Sequence, residues 1–191
     1  MEYLIQTDNS FLSSLQFKKS NLIKSCVTDV QDILNITPEI MVYGRVVCQK
    51  RDVGFFSDTS IGYRYSGKIS VSKPMTPNLI KLMTFVNKKY GSNFNGILIN
   101  RYNSGEDYIS AHSDDETNLD PVGVIAISSG VSRIFRIRCK SDKNIVDDFY
   151  TDDTHILHMG GDFQKEFTHE IPVEKKVHGI RYSFTFRKHI D

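Results

Sequence analysis

The chain of 191 residues has no tryptophan, only five prolines and three cysteines, and a formal net charge of just +1. Each shortage narrows the field. Cys26, Cys48 and Cys139 are odd in number, far apart and without metal-type spacing, which argues against a disulfide framework or a cysteine zinc site and fits reduced, packed thiols. No apolar run approaches the roughly 18 residues of a membrane span, and the first residues lack the basic-then-apolar pattern of a secretory signal. The expectation is an intracellular protein of the cytoplasm or nucleus, not secreted and without a membrane partner. With internal repeats and low-complexity linkers also absent, repeat architectures drop out.

What is present is ordinary for a globular protein: 39% hydrophobic and 25% charged residues, with the aromatic content carried by 12 Phe and 9 Tyr. The length suits one domain with a sizeable core, expected to be a monomer. Charge is unevenly spread. Lys50, Arg51, Arg64, Lys68 and Lys73 form one basic region, Arg133, Arg136, Arg138, Lys140 and Lys143 another, and Lys175, Lys176, Arg187 and Lys188 a third. Acids concentrate from Glu106 to Asp120 and from Asp147 to Asp153. A basic rim around an acidic centre would suit a polyanion laid over a cation site, although solvated charges without a partner give the same pattern.

Helical spacing of Leu22, Ile23, Cys26, Val30, Ile33 and Leu34 predicts an amphipathic helix before Pro38. A second helix is predicted from Pro77 in "NLIKLMTFVNKKYG", capped by Thr76 or Asn78 and ended by Gly91. From "FNGILINRY" onward, short alternating segments with Gly or Pro turns dominate, to "GIRYSFTFRKHI". Helices first and many strands afterwards predict an α+β protein around an antiparallel sandwich or barrel.

Within "NGILINRYNSGEDYISAHSDDE", His112 and Asp114 are separated by one serine. On a strand both side chains point to one face, where they reach one ion or simply make that face polar. His169 in "EFTHEIP" supplies a third donor; two histidines and one carboxylate are the facial triad of non-haem Fe(II) oxygenases. In "RYSFTFR", Arg181, Ser183, Thr185 and Arg187 share one face and Tyr182, Phe184 and Phe186 the other. Two arginines on an otherwise core-like strand require anions, either protein acids or a small dicarboxylate held by fork-type bonds.

These segments, with "PVGVIAISSGVSRIFRIR", "MGGDFQKEFTHEIP" and "FFSDTSIGYRYSGK", resemble the AlkB family of iron- and 2-oxoglutarate-dependent dioxygenases that remove alkyl groups from nucleic-acid bases. The resemblance runs in order from Val42 to Lys188 and leaves the first 40 residues outside, as an N-terminal helical extension (1–40) packed on an oxygenase domain (41–191). It implies a double-stranded β-helix (jelly-roll) core with N-terminal helices and a substrate lid. It also implies Fe(II), 2-oxoglutarate and O2 as cofactor and cosubstrates, and alkylated DNA or RNA as partner.

Residue by residue, the resemblance implies His112, Asp114 and His169 as iron ligands and catalytic centre. Arg181 with Tyr102, and Arg187 with Asn100, are implied as the 2-oxoglutarate pocket. Tyr63, Tyr65, Ser66 and Gly67 match the segment that covers the target base, Asp115 and Glu116 match polar residues that contact a base edge, and Arg51 joins this substrate set. Ordinary packing of a hairpin is the other reading of the tyrosines. The chain departs from the family at Lys50-Arg51 and Ser57-Asp58, where many members have Pro-Arg and Gly-Asp. The implied reaction is oxidative demethylation of 1-methyladenine- or 3-methylcytosine-type bases, releasing formaldehyde, succinate and CO2. Two alternatives stay open: the same chemistry on a protein or other small substrate, and a non-catalytic nucleic-acid-binding module.

Overall fold

The computed structural model describes residues 1–65, 68–114 and 120–188; the side chains of Arg64 and Tyr65 are outside that set, as are Ser66, Gly67, Asp115 and Glu116. In chain order come β1 (Glu2–Gln6), β2 (Ser10–Gln16), α1 (Ser20–Val30), β3 (Glu39–Val42), β4 (Arg45–Cys48), β5 (Asp52–Phe56), β6 (Gly62–Tyr65), β7 (Lys68–Val71) and α2 (Pro77–Tyr90). Then follow β8 (Gly96–Tyr102), β9 (Ile109–His112), β10 (Val124–Gly130), β11 (Arg133–Cys139), β12 (Ile145–Thr151), β13 (His155–Gly161), α3 (Phe163–Glu166), β14 (Phe167–Ile171) and β15 (Arg181–Arg187).

Strands in the order β1-β2-β13-β10-β15-β8-β5 make a seven-stranded sheet, and β12-β11-β14-β9 a four-stranded one. Their pairings are antiparallel. β3-β4 and β6-β7 are separate hairpins. This two-sheet arrangement is the expected jelly-roll core.

Period-2 alternation decides which side chains go where. On one face of the large sheet, Ile97, Ile99, Ile125, Ile127, Phe184 and Phe186 meet Ile23, Cys26 and Val30 of α1 and Leu79, Leu82 and Val86 of α2. Each of the α2 side chains is fully buried, a gain of about 1.5–3 kcal/mol apiece before entropy. The opposite face contributes Tyr102, Val124, Leu157 and Met159 to a second core against Phe135, Ile137, Phe167 and Ile171 of the small sheet. The layers are therefore helix, sheet, sheet. α2 is held at its start by the Thr76 hydroxyl, which accepts from the Leu79 N–H at 3.2 Å, and at its end by Gly91 at φ 65°. Among the described residues no helix is long and apolar enough to cross a membrane.

The structure corrects two expectations. The first 40 residues are not a purely helical extension: β1 and β2 form a hairpin that continues the large sheet, β2 pairing with β13 from His155↔Gln16 to Gly161↔Ser10. Its alternation is masked because Ser10, Ser13 and Ser14 occupy buried positions where apolar residues would have marked a strand. The second basic cluster is not a free rim. Arg133 is fully buried against Glu174, Arg136 pairs with Asp148 at 2.7 Å, and Arg138 with Glu170 at 2.9 Å. His158 is buried as well, edge-on to the rings of Phe11 and Tyr90 with Nε2 against the Val122 carbonyl at 2.7 Å.

Candidate active site

β9 and β14 are neighbours in the small sheet, with His112 directly opposite His169. Their rings lie 4.3 Å apart. Asp114, two residues past His112, is turned to the same place: its backbone N–H donates to Gln164 Oε1 at 2.9 Å, and the Ser113 hydroxyl donates to the Phe167 carbonyl at 3.0 Å. The ligand atoms of His112, Asp114 and His169 all lie within 4.8 Å of one another, the one such His/Cys/Asp/Glu cluster among the described residues. His112 Nδ1 faces the Ser110 carbonyl at 2.9 Å, which favours the tautomer with the proton on Nδ1 and Nε2 as the ligating nitrogen. The His169 ring stacks on Phe135.

Charge states suit a cation. Burial pulls His169 down to about 3, helped by neighbouring His112, and burial also lowers His112. Both imidazoles are therefore neutral at pH 7 and able to ligate. Burial pushes the Asp114 carboxyl up, but the Arg187 guanidinium beside it, with lesser contributions from the two histidines, outweighs burial and holds it at about 2. Asp114 Oδ2 and His169 Nδ1 are buried without hydrogen-bond partners among the described residues. Two neutral imidazoles and one carboxylate with an unmatched oxygen form a donor set that fits Fe(II).

The cluster lines a cavity of about 280 Å³ between the sheets. The polar face of β15 supplies its wall with Arg181, Ser183, Thr185 and Arg187, as the alternation predicts, and β8 adds Asn100 and Tyr102. Arg181 is buried; Nη2 donates to the Ser128 hydroxyl at 2.9 Å, while Nε and Nη1 have no hydrogen-bond partner among the described residues. Burial lowers its guanidinium to about 10 against the pull of Tyr102, so it stays cationic at neutral pH. The guanidinium lies 5.3 Å from the Tyr102 ring centre, and Arg133 lies 5.8 Å from the same ring. A buried, incompletely matched guanidinium beside a phenol is a receptor for a carboxylate.

Arg187 is arranged otherwise. Nη2 donates to Asp114 Oδ1 at 2.5 Å and Nη1 to the Tyr63 hydroxyl at 2.9 Å. Asn100 bonds a different arginine: its Oδ1 accepts from Arg51 Nε at 2.8 Å. Register explains this, because β15 runs antiparallel to β8 and puts Ser183, not Arg187, opposite Asn100. Tyr63 is also less open than a base-stacking role requires. It is buried with Val53, Phe55 and Leu98, and its ring lies 4.7 Å from the Arg187 guanidinium.

The chain's local signals concealed three site features. Arg133 holds the turn after β8, donating to the carbonyls of Ser104, Asp107 and Pro172 as well as to Glu174. Gly105 in that turn is obligatory, since a Cβ there would stand 1.9 Å from the Glu174 carbonyl oxygen. The β3-β4 hairpin ends in a turn with Tyr43 at φ 48° and Gly44 at φ 78°, and it leaves Tyr43 fully exposed with Val46 and Val47. Only the Val-Tyr-Gly-Arg turn signature could have marked that tip.

A family model described as the 2OG-Fe(II) oxygenase superfamily matches residues 11–187. The chain is 31% identical over 168 residues to the DNA oxidative demethylase ALKBH2 of Homo sapiens, covering 84% of this chain but 64% of that protein. Its Mus musculus counterpart is 30% identical, with 84% and 70% covered. The alpha-ketoglutarate-dependent dioxygenase alkB homolog 3 of Bos taurus is 31% identical over 120 residues, 58% of this chain and 42% of its own length. The structure of OsALKBH1 superposes over 96% of the chain with a TM-score of 0.58 at 14% identity, a likeness of fold. With the histidine-carboxylate cluster inside that fold, the chain belongs to the AlkB family of the 2OG-Fe(II) oxygenase superfamily.

Proposed function

We propose that the protein is a nucleic-acid dealkylase that uses Fe(II), 2-oxoglutarate and O2 to demethylate N-methylated bases of the 1-methyladenine and 3-methylcytosine type. The observation that carries this is one cavity holding both the His112, Asp114 and His169 cluster and the incompletely matched Arg181. His112, Asp114 and His169 hold the metal. Arg181, with Tyr102, takes the far carboxylate of 2-oxoglutarate. Arg187 keeps Asp114 ionised and oriented, and Tyr63 keeps Arg187 in place. When bound, metal and cosubstrates supply an oxidant that hydroxylates the N-methyl group, after which the base loses formaldehyde, with succinate and CO2 as the other products.

A base reaches such a recessed centre only by leaving its stack, at a cost of a few kcal/mol that damage reduces. Tyr65, on the lid segment, is the stacking residue of this reading. The β3-β4 finger, with Tyr43 and apolar neighbours exposed at its tip, has the form of a wedge that enters a base step of a duplex. The relatives named DNA oxidative demethylase favour DNA as the polymer.

The test is stoichiometry. Anaerobically purified protein receives Fe(II), 2-oxoglutarate, air and a 1-methyladenine oligonucleotide, and formaldehyde and succinate are measured. Equal amounts of the two, both lost in Asp114→Ala, support the reading. Succinate without formaldehyde would reject the substrate, and neither product would reject the oxygenase.

A further inference from the structure

Gln49, just after β4, and Ser70, on β7 opposite Tyr63, both line the cavity. Gln49 is 8% exposed, and its Oε1 is buried with no hydrogen-bond partner among the described residues; the Ser70 hydroxyl oxygen is in the same condition. Two other glutamines of this chain are used within the fold. Gln164 Oε1 accepts from the Asp114 N–H, and Gln16 Nε2 donates to Asp153 and Thr154. An unmatched buried acceptor destabilises a fold unless something outside the chain matches it. Gln49 Oε1 has no hydrogen-bond partner among the described residues, so the amide can present its carbonyl or, by rotation of its last bond, its amino group to the cavity.

We infer that Gln49, assisted by Ser70, forms a base-edge subsite that selects a methylated purine over a methylated pyrimidine. This rests on the dealkylase reading above. The selectivity comes from complementarity. With its N1-methyl group directed at the metal cluster, adenine offers on the adjoining edge an N6 amino donor followed by the N7 acceptor. That pair is the complement of an amide, whose oxygen accepts and whose nitrogen donates. Cytosine methylated at N3 offers the N4 donor, but a C5–H stands where the purine has N7. One of the two amide bonds is then lost. The Ser70 hydroxyl, able to donate and accept, adds a contact from the β7 side.

The experiment is a competition in one tube between oligonucleotides of identical sequence carrying 1-methyladenine or 3-methylcytosine, read by mass as the ratio of their kcat/KM values. This ratio does not depend on how much of the enzyme is folded. The wild type is expected to favour 1-methyladenine by about tenfold, the scale of the one amide hydrogen bond that 3-methylcytosine forgoes. Gln49→Met, close to volume-conserving, brings the ratio to about unity. Ser70→Ala, which removes a single hydroxyl, lowers it less and serves as the independent variant.

A wild type that treats both lesions equally, or a ratio unmoved by both substitutions, overturns the subsite while leaving the dealkylase reading intact. Consumption of 2-oxoglutarate with neither base repaired removes that reading, and the subsite with it.

Discussion

Arg187 and Asp114 form an ion pair sealed from water, with Nη2 2.5 Å from Oδ1 and each side chain 3% exposed or less. Arg187→Met leaves the Asp114 carboxylate buried and uncompensated, and breaking such a pair costs about 3–5 kcal/mol. The sign with pH follows from Asp114 titrating at about 2, below the ordinary carboxyl value near 3.9. That contribution is present above about pH 4 and is lost as pH falls toward 2. Urea unfolding of the metal-free proteins should show the gap between wild type and variant widest near pH 7 and narrowing below about pH 4. A gap that stays constant with pH would mean the pair does not set the Asp114 charge.

His169, lowered to about 3 by burial and by His112, acts in a higher window. Unfolded histidine takes up a proton below about pH 6.5 and the folded site does not, so stability falls as pH drops from there toward 3, by up to about 1.4 kcal/mol per unit. His169→Asn should flatten that slope in metal-free protein. An unchanged slope would show that another group controls it.

Arg181 supplies the cation for the far carboxylate. Arg181→Gln should raise the dissociation constant for 2-oxoglutarate at least tenfold, the scale of a charge-assisted hydrogen bond at about 1.5–3 kcal/mol. Titration calorimetry of the Mn(II)-loaded protein measures it. Metal affinity itself should change little, because Arg181 bonds Ser128 and lies over Tyr102 rather than touching Asp114. Equal losses for metal and 2-oxoglutarate would place Arg181 in the metal site instead.

Much of this site is legible locally. The i, i+2 spacing of His112 and Asp114, and the alternation of Arg181, Ser183, Thr185 and Arg187 against Tyr182, Phe184 and Phe186, read directly onto strands whose faces the structure separates as expected. What is not legible is pairing between distant segments. That His169 stands across from His112, or that Asn100 meets Arg51 rather than Arg187, is decided by strand register. Arg133 looks like one more surface charge in a basic run, yet Glu174 and three carbonyls from remote turns remove it from water. The β1-β2 hairpin was concealed by serines that the sheet buries.

The finger carries its own expectation. Tyr43→Ala touches no buried contact, so thermal stability should hold within about 0.5 kcal/mol. Repair of a lesion in duplex DNA should fall severalfold, as expected for loss of a wedge that opens a base step, while repair of the same lesion in a single strand should not. Parallel rates on both substrates decide it. Equal losses would assign Tyr43 to general binding, and no loss would remove the finger from the reaction.

The most direct measurement is the mass of the substrate itself. A duplex oligonucleotide with one 1-methyladenine is incubated with Fe(II), 2-oxoglutarate, air and excess protein, and weighed intact before and after. Loss of about 14 Da, the difference between methyl and hydrogen, abolished in both Asp114→Ala and His169→Ala, is the expected result. An unchanged mass while succinate accumulates would contradict the assignment of nucleic acid as the substrate of this centre.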